Sequence, residues 1–360
     1  MTQKDITCKL LMEQFQKYPE MNIQDVFKFL YQSSFGCEHL VTSEDVAIAY
    51  IRKEYEATEW NDETKINRLD GAYSRVSLAV LKDGIRPETL GKLFCLSARN
   101  EPEGMQALEQ KLATVKEMIL AGKLPLTKSE YETAVADWKE KGYSAVHHSE
   151  DYRTCYHPSY RVISNRYIPF LPLFAAIDRK MEEESAIVSI EGGSASGKST
   201  LGEVLKEVYD CTLLHMDDFF LRPEQRTPER FAEPGGNVDR ERFLEEVLIP
   251  LSKNEVIQYR RFECSTYEIQ PAVEIQPKKL VIIEGAYSMH PELSQYYDLS
   301  VFLDISEEFQ KKRIEKRNTP PFVKRFLEEW IPMEIKYFSV MQVKERCDLL
   351  ISINETLLVE

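Results

Sequence analysis

Residues 192–200 read Gly192-Gly193-Ser194-Ala195-Ser196-Gly197-Lys198-Ser199-Thr200. Small side chains in such a run let consecutive backbone N–H groups curl around an anion. The pattern G-x-x-x-x-G-K-[ST] is that of a phosphate-binding loop. Lys198 is placed for the outer phosphates of a nucleotide and the Ser199 hydroxyl for Mg2+. Acidic positions further along fit the same chemistry. Asp217 and Asp218 follow the apolar run Thr212–Met216, where a carboxylate can take a hydroxyl proton while engaging Mg2+ or its waters electrostatically. Glu284 closes the run Leu280–Ile283 and suits an acid that reaches Mg2+ through water. Arg313 and Arg317 are four residues apart, on one face of a helix, so both can address one phosphate. Their neighbours Lys311, Lys312 and Lys316 leave a solvated basic face as the plainer reading.

A phosphate loop needs a strand before it and a helix after it. Ala186–Glu191 and Lys198–Val208 have those patterns. Further strands are expected at Thr212–Met216, Leu280–Glu284, Leu299–Asp304 and Leu349–Ile353. Helices are expected at Arg240–Leu248, Glu307–Arg317 and Ile331–Val340. Short apolar strands spaced by helices indicate an α/β domain with a parallel sheet covered on both faces. The first half reads as mainly helical. Asn22 caps a segment with apolar residues at Ile23, Val26, Phe27 and Leu30, and Ser43 caps Val46–Tyr55. Pro87 opens Glu88–Ala98, and Gly104–Ala121, Ser129–Lys139 and Ile168–Met181 follow. Tyr143–Tyr167, rich in Tyr, His and Arg and without a period, reads as an ordered loop. The charged run Arg179–Glu184 reads as a linker, dividing a helical domain, 1–182, from a phosphate-loop domain, 183–360.

From about residue 185 to 345 the chain resembles the uridine kinase / phosphoribulokinase family of P-loop kinases, nicotinamide riboside kinases included. GGSASGKST, HMDDFF, GNVDRERF, VIIEGAY and QKKRIEKRN occur in the family's order and spacing. The resemblance implies a five-stranded parallel sheet, ATP and Mg2+ as cofactors, and transfer of phosphate to a hydroxyl of a small molecule, a nucleoside such as uridine first among them. It implies that Asp217 is the general base and that Asp239 accepts hydrogen bonds from ribose hydroxyls. It also implies that Glu284 is the acid of the E-G motif and that Arg313 and Arg317 are lid arginines. Tyr259 stands where the family's base-recognition loop lies. Some positions depart from the pattern. Asp218 replaces a Ser, Pro234–Asp239 differs from Phe-Asp-His-Pro, and Tyr259–Cys264 has no matching His. An Asp at 239 can also simply cap the helix that begins at Arg240. Two other readings stay open: a bifunctional enzyme with separate chemistry in the first half, and a regulatory module that hydrolyses ATP slowly.

The first half matches no family pattern. His39, His147 and His148 with Glu38 are a conceivable metal set, although their spacing fits no known motif. Arg153, Arg161 and Arg166 with Tyr152, Tyr156, Tyr160 and Tyr167 could form an anion or base-stacking pocket; the plainer reading is a packed connector. Composition excludes other classes. With 46 Lys+Arg against 60 Asp+Glu, a net charge of -14, the surface repels phosphate backbones, so no nucleic-acid partner is expected. No apolar run approaches the roughly 18 residues of a membrane span, and the first twenty residues lack a signal-peptide pattern. The 7 cysteines are scattered without a C-x-x-C pair, which argues against a disulfide framework or zinc ribbon and for a reducing compartment, the cytoplasm. A homo-oligomer is compatible with all of this.

Overall fold

A computed structural model describes residues 2–37, 43–60, 65–98, 103–183 and 185–353. The chain divides into two units, residues 1–169 and 170–358. In the first, helices α1 (Gln3–Lys17), α2 (Ile23–Phe35) and α3 (Glu44–Ala57) precede strands β1 (Ile66–Arg68) and β2 (Tyr73–Ser77). Helices α4 (Pro87–Ser97), α5 (Gly104–Leu120), α6 (Lys128–Glu140) and α7 (Glu150–Tyr156) then lead to β3 (Tyr160–Ser164). Local chemistry sets the helix starts. Asp5, Asp25 and Glu130 reach back to the cap residues Thr2, Asn22 and Thr127, which accept amides in return. Ser43 caps α3, and Pro87 occupies the first turn of α4.

The mainly helical half also holds a three-stranded antiparallel sheet, β1-β2-β3, with Tyr73 opposite Ser164 and Ser77 opposite Tyr160. The stretch Tyr143–Tyr167, expected as a loop, therefore contains a helix and a strand. β2 is buried at every position, so it lacks the alternation that marks a half-exposed strand, and its partner β3 is distant in sequence. Polar bonds lock the start of α7 onto α2. Asp25 takes His148 Nδ1 at 2.8 Å, the Ser149 amide at 3.1 Å and the Ser149 hydroxyl at 2.6 Å. His148 Nε2 meets the Tyr160 hydroxyl at 2.8 Å, and its ring stacks on Tyr152 at 4.0 Å. Burial pushes the His148 imidazole down to about 3, so the ring is neutral.

These contacts bear on the expectations for this half. His148 is committed to Asp25 and Tyr160. Among the described residues no group of three or more His, Cys, Asp or Glu side chains is arranged to hold a metal. Glu38 and His39 lie outside the described residues. Arg161 ion-pairs with Glu54 at 2.9 Å, Arg166 lies over the Tyr167 ring, and the Tyr156 hydroxyl accepts the Glu20 amide at 3.0 Å. Those side chains serve packing within the unit.

The second unit opens with α8 (Leu171–Lys180), ahead of the charged run at 179–184. This helix is buried along most of its length against two strands of the main sheet, so it goes with that unit. In chain order there follow β4 (Ala186–Gly192), α9 (Lys198–Val208), β5 (Cys211–His215), α10 (Pro228–Ala232), α11 (Arg240–Phe243) and α12 (Ile249–Ser252). A hairpin of β6 (Ile257–Glu263) and β7 (Glu268–Ile275) leads to β8 (Leu280–Glu284), α13 (Pro291–Ser294), β9 (Leu299–Ile305) and α14 (Glu307–Arg317). The unit ends with α15 (Pro320–Arg325), α16 (Ile331–Val340), α17 (Val343–Arg346) and β10 (Leu349–Ile353). Five strands make a parallel sheet in the order β10-β9-β4-β8-β5. Single π-helical turns at Leu244–Leu248 and Phe326–Trp330 join α11 to α12 and α15 to α16. The helix expected to end at Leu248 thus continues to Ser252. On one face of the sheet Leu214, Phe219, Phe243, Tyr259, Phe302 and Tyr337 are parts of one apolar core. Among the described residues no helix is long and apolar enough to cross a membrane.

Candidate active site

Parallel strands all end at one edge of their sheet, so side chains just past those ends are brought together. Register does this here: Glu284 lies beside Ile190 on β4 and beside His215 on β5. The phosphate loop leaves β4 at Gly192. There φ is +150°, and a Cβ would stand 2.7 Å from the Leu303 carbonyl oxygen. At Gly197 φ is +101°, which turns the chain into α9. Lys198 folds back over the loop, donating to the carbonyls of Gly192 at 2.8 Å and Gly193 at 3.0 Å. The Ser196 hydroxyl is buried and, among the described residues, has no hydrogen-bond partner; Ser199 and Thr200 are exposed in the first turn of α9. An orphaned hydroxyl among curled amides, next to a helix N-terminus, fits a phosphate ligand.

The acids sort themselves by their partners. Asp218 accepts the Tyr259 hydroxyl at 3.0 Å, and the Arg261 guanidinium lies 3.3 Å from it. Asp217 is exposed to solvent. The protein crowding round it pushes its carboxyl above the ordinary value; Glu284 and Asp218 push the same way, while Lys198 and His215 pull back. Glu284 is buried and accepts His215 Nδ1 at 2.6 Å, a bond that raises the imidazole. Asp217, Glu284 and the Ser199 hydroxyl are oxygen donors of the kind Mg2+ takes beside phosphate oxygens.

The other expected residues are less alike. Asp239 is buried and caps α11, accepting the Arg242 amide at 3.4 Å. It also pairs with Arg242 Nε at 3.1 Å, with Arg222 at 3.7 Å. It nevertheless lines a cavity of about 370 Å³ with Arg222, Gln225, Arg230 and Arg260. Tyr259 has its ring in the core, stacked on Phe219 at 5.4 Å, and offers only its hydroxyl, to Asp218. Arg313 is buried on the face of α14 that carries Gln310, whose amide holds the Ser194 carbonyl at 2.8 Å; Arg317 is exposed.

Two acids at the loop carry no motif. Glu191, the last side chain of β4 before the glycines, is fully buried. It accepts the amides of Gly192, Tyr287 and Met289 at 2.9, 3.2 and 3.1 Å, and the Tyr337 hydroxyl at 3.1 Å. Burial pushes its carboxyl up to about 7. Glu334, from α16, accepts the Ser194 amide at 2.9 Å and the Ser194 hydroxyl at 2.6 Å. A charged residue ending an apolar strand was the available signal for Glu191; nothing local distinguishes Glu334.

Residues 187–319 match the model of the Phosphoribulokinase / Uridine kinase family. Within that family's range lie the phosphate loop, both strand-end acids and Arg313. A uridine kinase of Chlamydia pneumoniae is 28% identical over 130 residues, covering 33% of this chain and 57% of the relative. A phosphoribulokinase of Synechocystis sp. is 25% identical over 127 residues, covering 34% and 38%. The match thus spans about half the length of these relatives, or less. Among solved structures, a possible uridine kinase from Bacillus stearothermophilus is 19% identical with a TM-score of 0.36, covering 46% of this chain and 88% of that one. A shikimate kinase from Acinetobacter baumannii is 19% identical with a TM-score of 0.29, covering 49% and 88%.

Proposed function

We propose that residues 170–358 form a kinase that transfers the terminal phosphate of ATP to a hydroxyl of a small molecule, with a ribonucleoside such as uridine as the first candidate acceptor. The observation that carries this reading is the placing of a solvent-open Asp217 at the same sheet edge as the phosphate loop, while Asp218 is tied to Tyr259 and Arg261. The loop amides, Lys198 and the buried Ser196 hydroxyl orient the phosphates. The Ser199 hydroxyl and the Glu284 carboxylate would hold Mg2+, which would supply positive charge to the phosphate oxygens. Asp217 removes the proton of the acceptor hydroxyl, whose oxygen bonds to the terminal phosphorus as the bond to ADP breaks. Its raised affinity for a proton suits a base that must hold one after transfer. Arg313 and Arg317 approach the transferring phosphate when α14 closes.

The cavity beside Asp239 is the acceptor's place in this reading. The long 3.4 Å bond from the Arg242 amide leaves Asp239 Oδ1 able to accept from a ribose hydroxyl. The deciding experiment screens ADP formation by the full chain, with ATP and Mg2+, against ribonucleosides, vitamins, sugars and polyols, with product masses measured. A many-fold stimulation by a ribonucleoside, with a product heavier by one phosphate, is expected. A folded protein that no acceptor stimulates contradicts the reading.

A further inference from the structure

Helix α16 touches the phosphate loop and the strand end that leads into it through side chains about one turn apart. Tyr337 donates to Glu191 at that strand end. Glu334 takes both the amide and the hydroxyl of Ser194 in the middle of the loop. Gln310 of α14 donates to the Ser194 carbonyl. Glu334 is only 4% exposed, so a carboxylate is held in a loop whose geometry is made for phosphate, by donors the loop would offer to an anion.

Where along a nucleotide this carboxylate lies follows from its neighbours. Lys198 attracts its charge and Asp217 repels it. Lys198 belongs with the outer phosphates, and Asp217 with the hydroxyl that attacks the last of them. Glu334 is therefore on the terminal-phosphate side. Ser194 in the loop is bonded to it, and Lys198 on α9, Asp217 after β5 and Tyr287 after β8 lie near enough to interact with its charge.

We propose that Glu334 is a specificity-determining residue of the nucleotide site, competing with the terminal phosphate of a nucleoside triphosphate for Ser194 and Lys198. A triphosphate then settles fully in the loop only as Glu334 lets go, and that release loosens α16. The inference rests on the kinase reading above. Burial already pushes the Glu334 carboxyl up against the pull of Lys198 and Ser194, so a second anion alongside it shifts the balance readily. Apparent affinity falls by the fraction of molecules in which Glu334 occupies the loop. Because α15, the π-helical turn and α16 are continuous, the release is transmitted along residues 320–340.

The test is calorimetric binding of a non-hydrolysable ATP analogue, ADP and AMP, each with Mg2+, to the full chain and to Glu334→Gln. The amide keeps the shape and removes the charge. The variant is expected to bind the triphosphate analogue about tenfold tighter, ADP less than about threefold tighter and AMP unchanged. An equal gain for all three nucleotides, or weaker triphosphate binding, overturns the proposal and makes Glu334 a brace for the loop. Should the variant not fold, amide exchange on wild type decides. Residues 331–340 are expected to exchange faster with the triphosphate analogue bound, and unchanged or slower exchange overturns the proposal. Wild type that binds none of the nucleotides overturns the kinase reading and this inference with it. Wild type that binds them, with an unchanged Glu334→Gln, overturns this inference alone.

Discussion

In the N-terminal unit, Asp25 accepts bonds from His148 and Ser149, and His148 uses its other nitrogen on Tyr160. At the end of β4 the pattern is reversed. Among the described residues Lys198 bonds the carbonyls of Gly192 and Gly193, the Ser196 hydroxyl has no hydrogen-bond partner, and Asp217 opens to solvent. Both regions gather charged and polar groups where apolar ones would pack more simply. The first closes its bonds on itself and so fixes a fold; the second leaves donors and acceptors for something else to complete. Two carboxylates at the loop show the boundary between these roles. Glu191 has four donors and belongs to the scaffold, whereas Glu334 uses donors that a phosphate could take.

The contrast is broken most directly at Lys198. Lys198→Ala is expected to lower phosphoryl transfer by at least about 10³-fold, with the melting temperature nearly unchanged, since its bonds are to loop carbonyls. A large loss of stability would move Lys198 to the scaffold side. Next, Asp217→Asn is expected to lower kcat by about 10²–10⁴-fold while ATP affinity changes little. Asp218→Asn should cost less in kcat, because Asp218 acts by holding Tyr259 and Arg261. The reverse order would exchange their roles.

The closed network predicts a pH effect on stability with no counterpart in chemistry. The His148 imidazole titrates near 3 when folded and near its ordinary 6.5 when unfolded. The unfolded chain therefore binds the proton first, and stability falls as pH drops from about 6.5 to 3. The slope is at most about 1.4 kcal/mol per pH unit from this group. Asp25, Arg75 and Lys28 are the charges that face it. Urea midpoints across this window should decline for wild type and flatten for His148→Gln; parallel declines would remove His148 as the cause. The smallest effect expected is at Asp239. A ribonucleoside acceptor should be preferred over its 2′-deoxy form by about tenfold in kcat/KM, and Asp239→Ala should lessen that preference. Equal efficiencies on wild type would leave Asp239 as a helix cap and partner of Arg242.

Much of the second unit was legible in the sequence. β4, β8 and β9 are short apolar runs buried along nearly all their length, and such runs announce themselves without their neighbours; β10, at the sheet edge, keeps an apolar run although only Ile351 and Ile353 are buried. The phosphate loop is a contiguous string, Glu284 is the last residue of β8, and Asp217 follows the end of β5 by two residues. What escaped depends on distant partners. β2 and β3 acquire meaning only by pairing, and the hairpin of β6 and β7 has an irregular pattern because of its bulge between Arg260 and Phe262. Glu334 sits in an unremarkable helix, and only the packing of α16 against Ser194 gives it a role. For Asp239 the sequence offered a cap or a ligand-binding acid, and the structure puts one carboxylate both on the helix end and at the cavity wall.

The strand order also governs when the site can exist. β4 leads the sheet in the chain, yet its two neighbours come late: Ala186 pairs with Leu280 and Val188 with Leu299. Loop closures on the order of a hundred residues must therefore precede the first pairing of the strand that carries the phosphate loop, the kind of topology that slows folding. During synthesis β4 leaves the ribosome long before β8 and β9, with both edges unpaired. The intervening β5 cannot shield it, since β5 pairs only with β8. The phosphate loop is thus among the first parts of this unit to be made and among the last to be shaped.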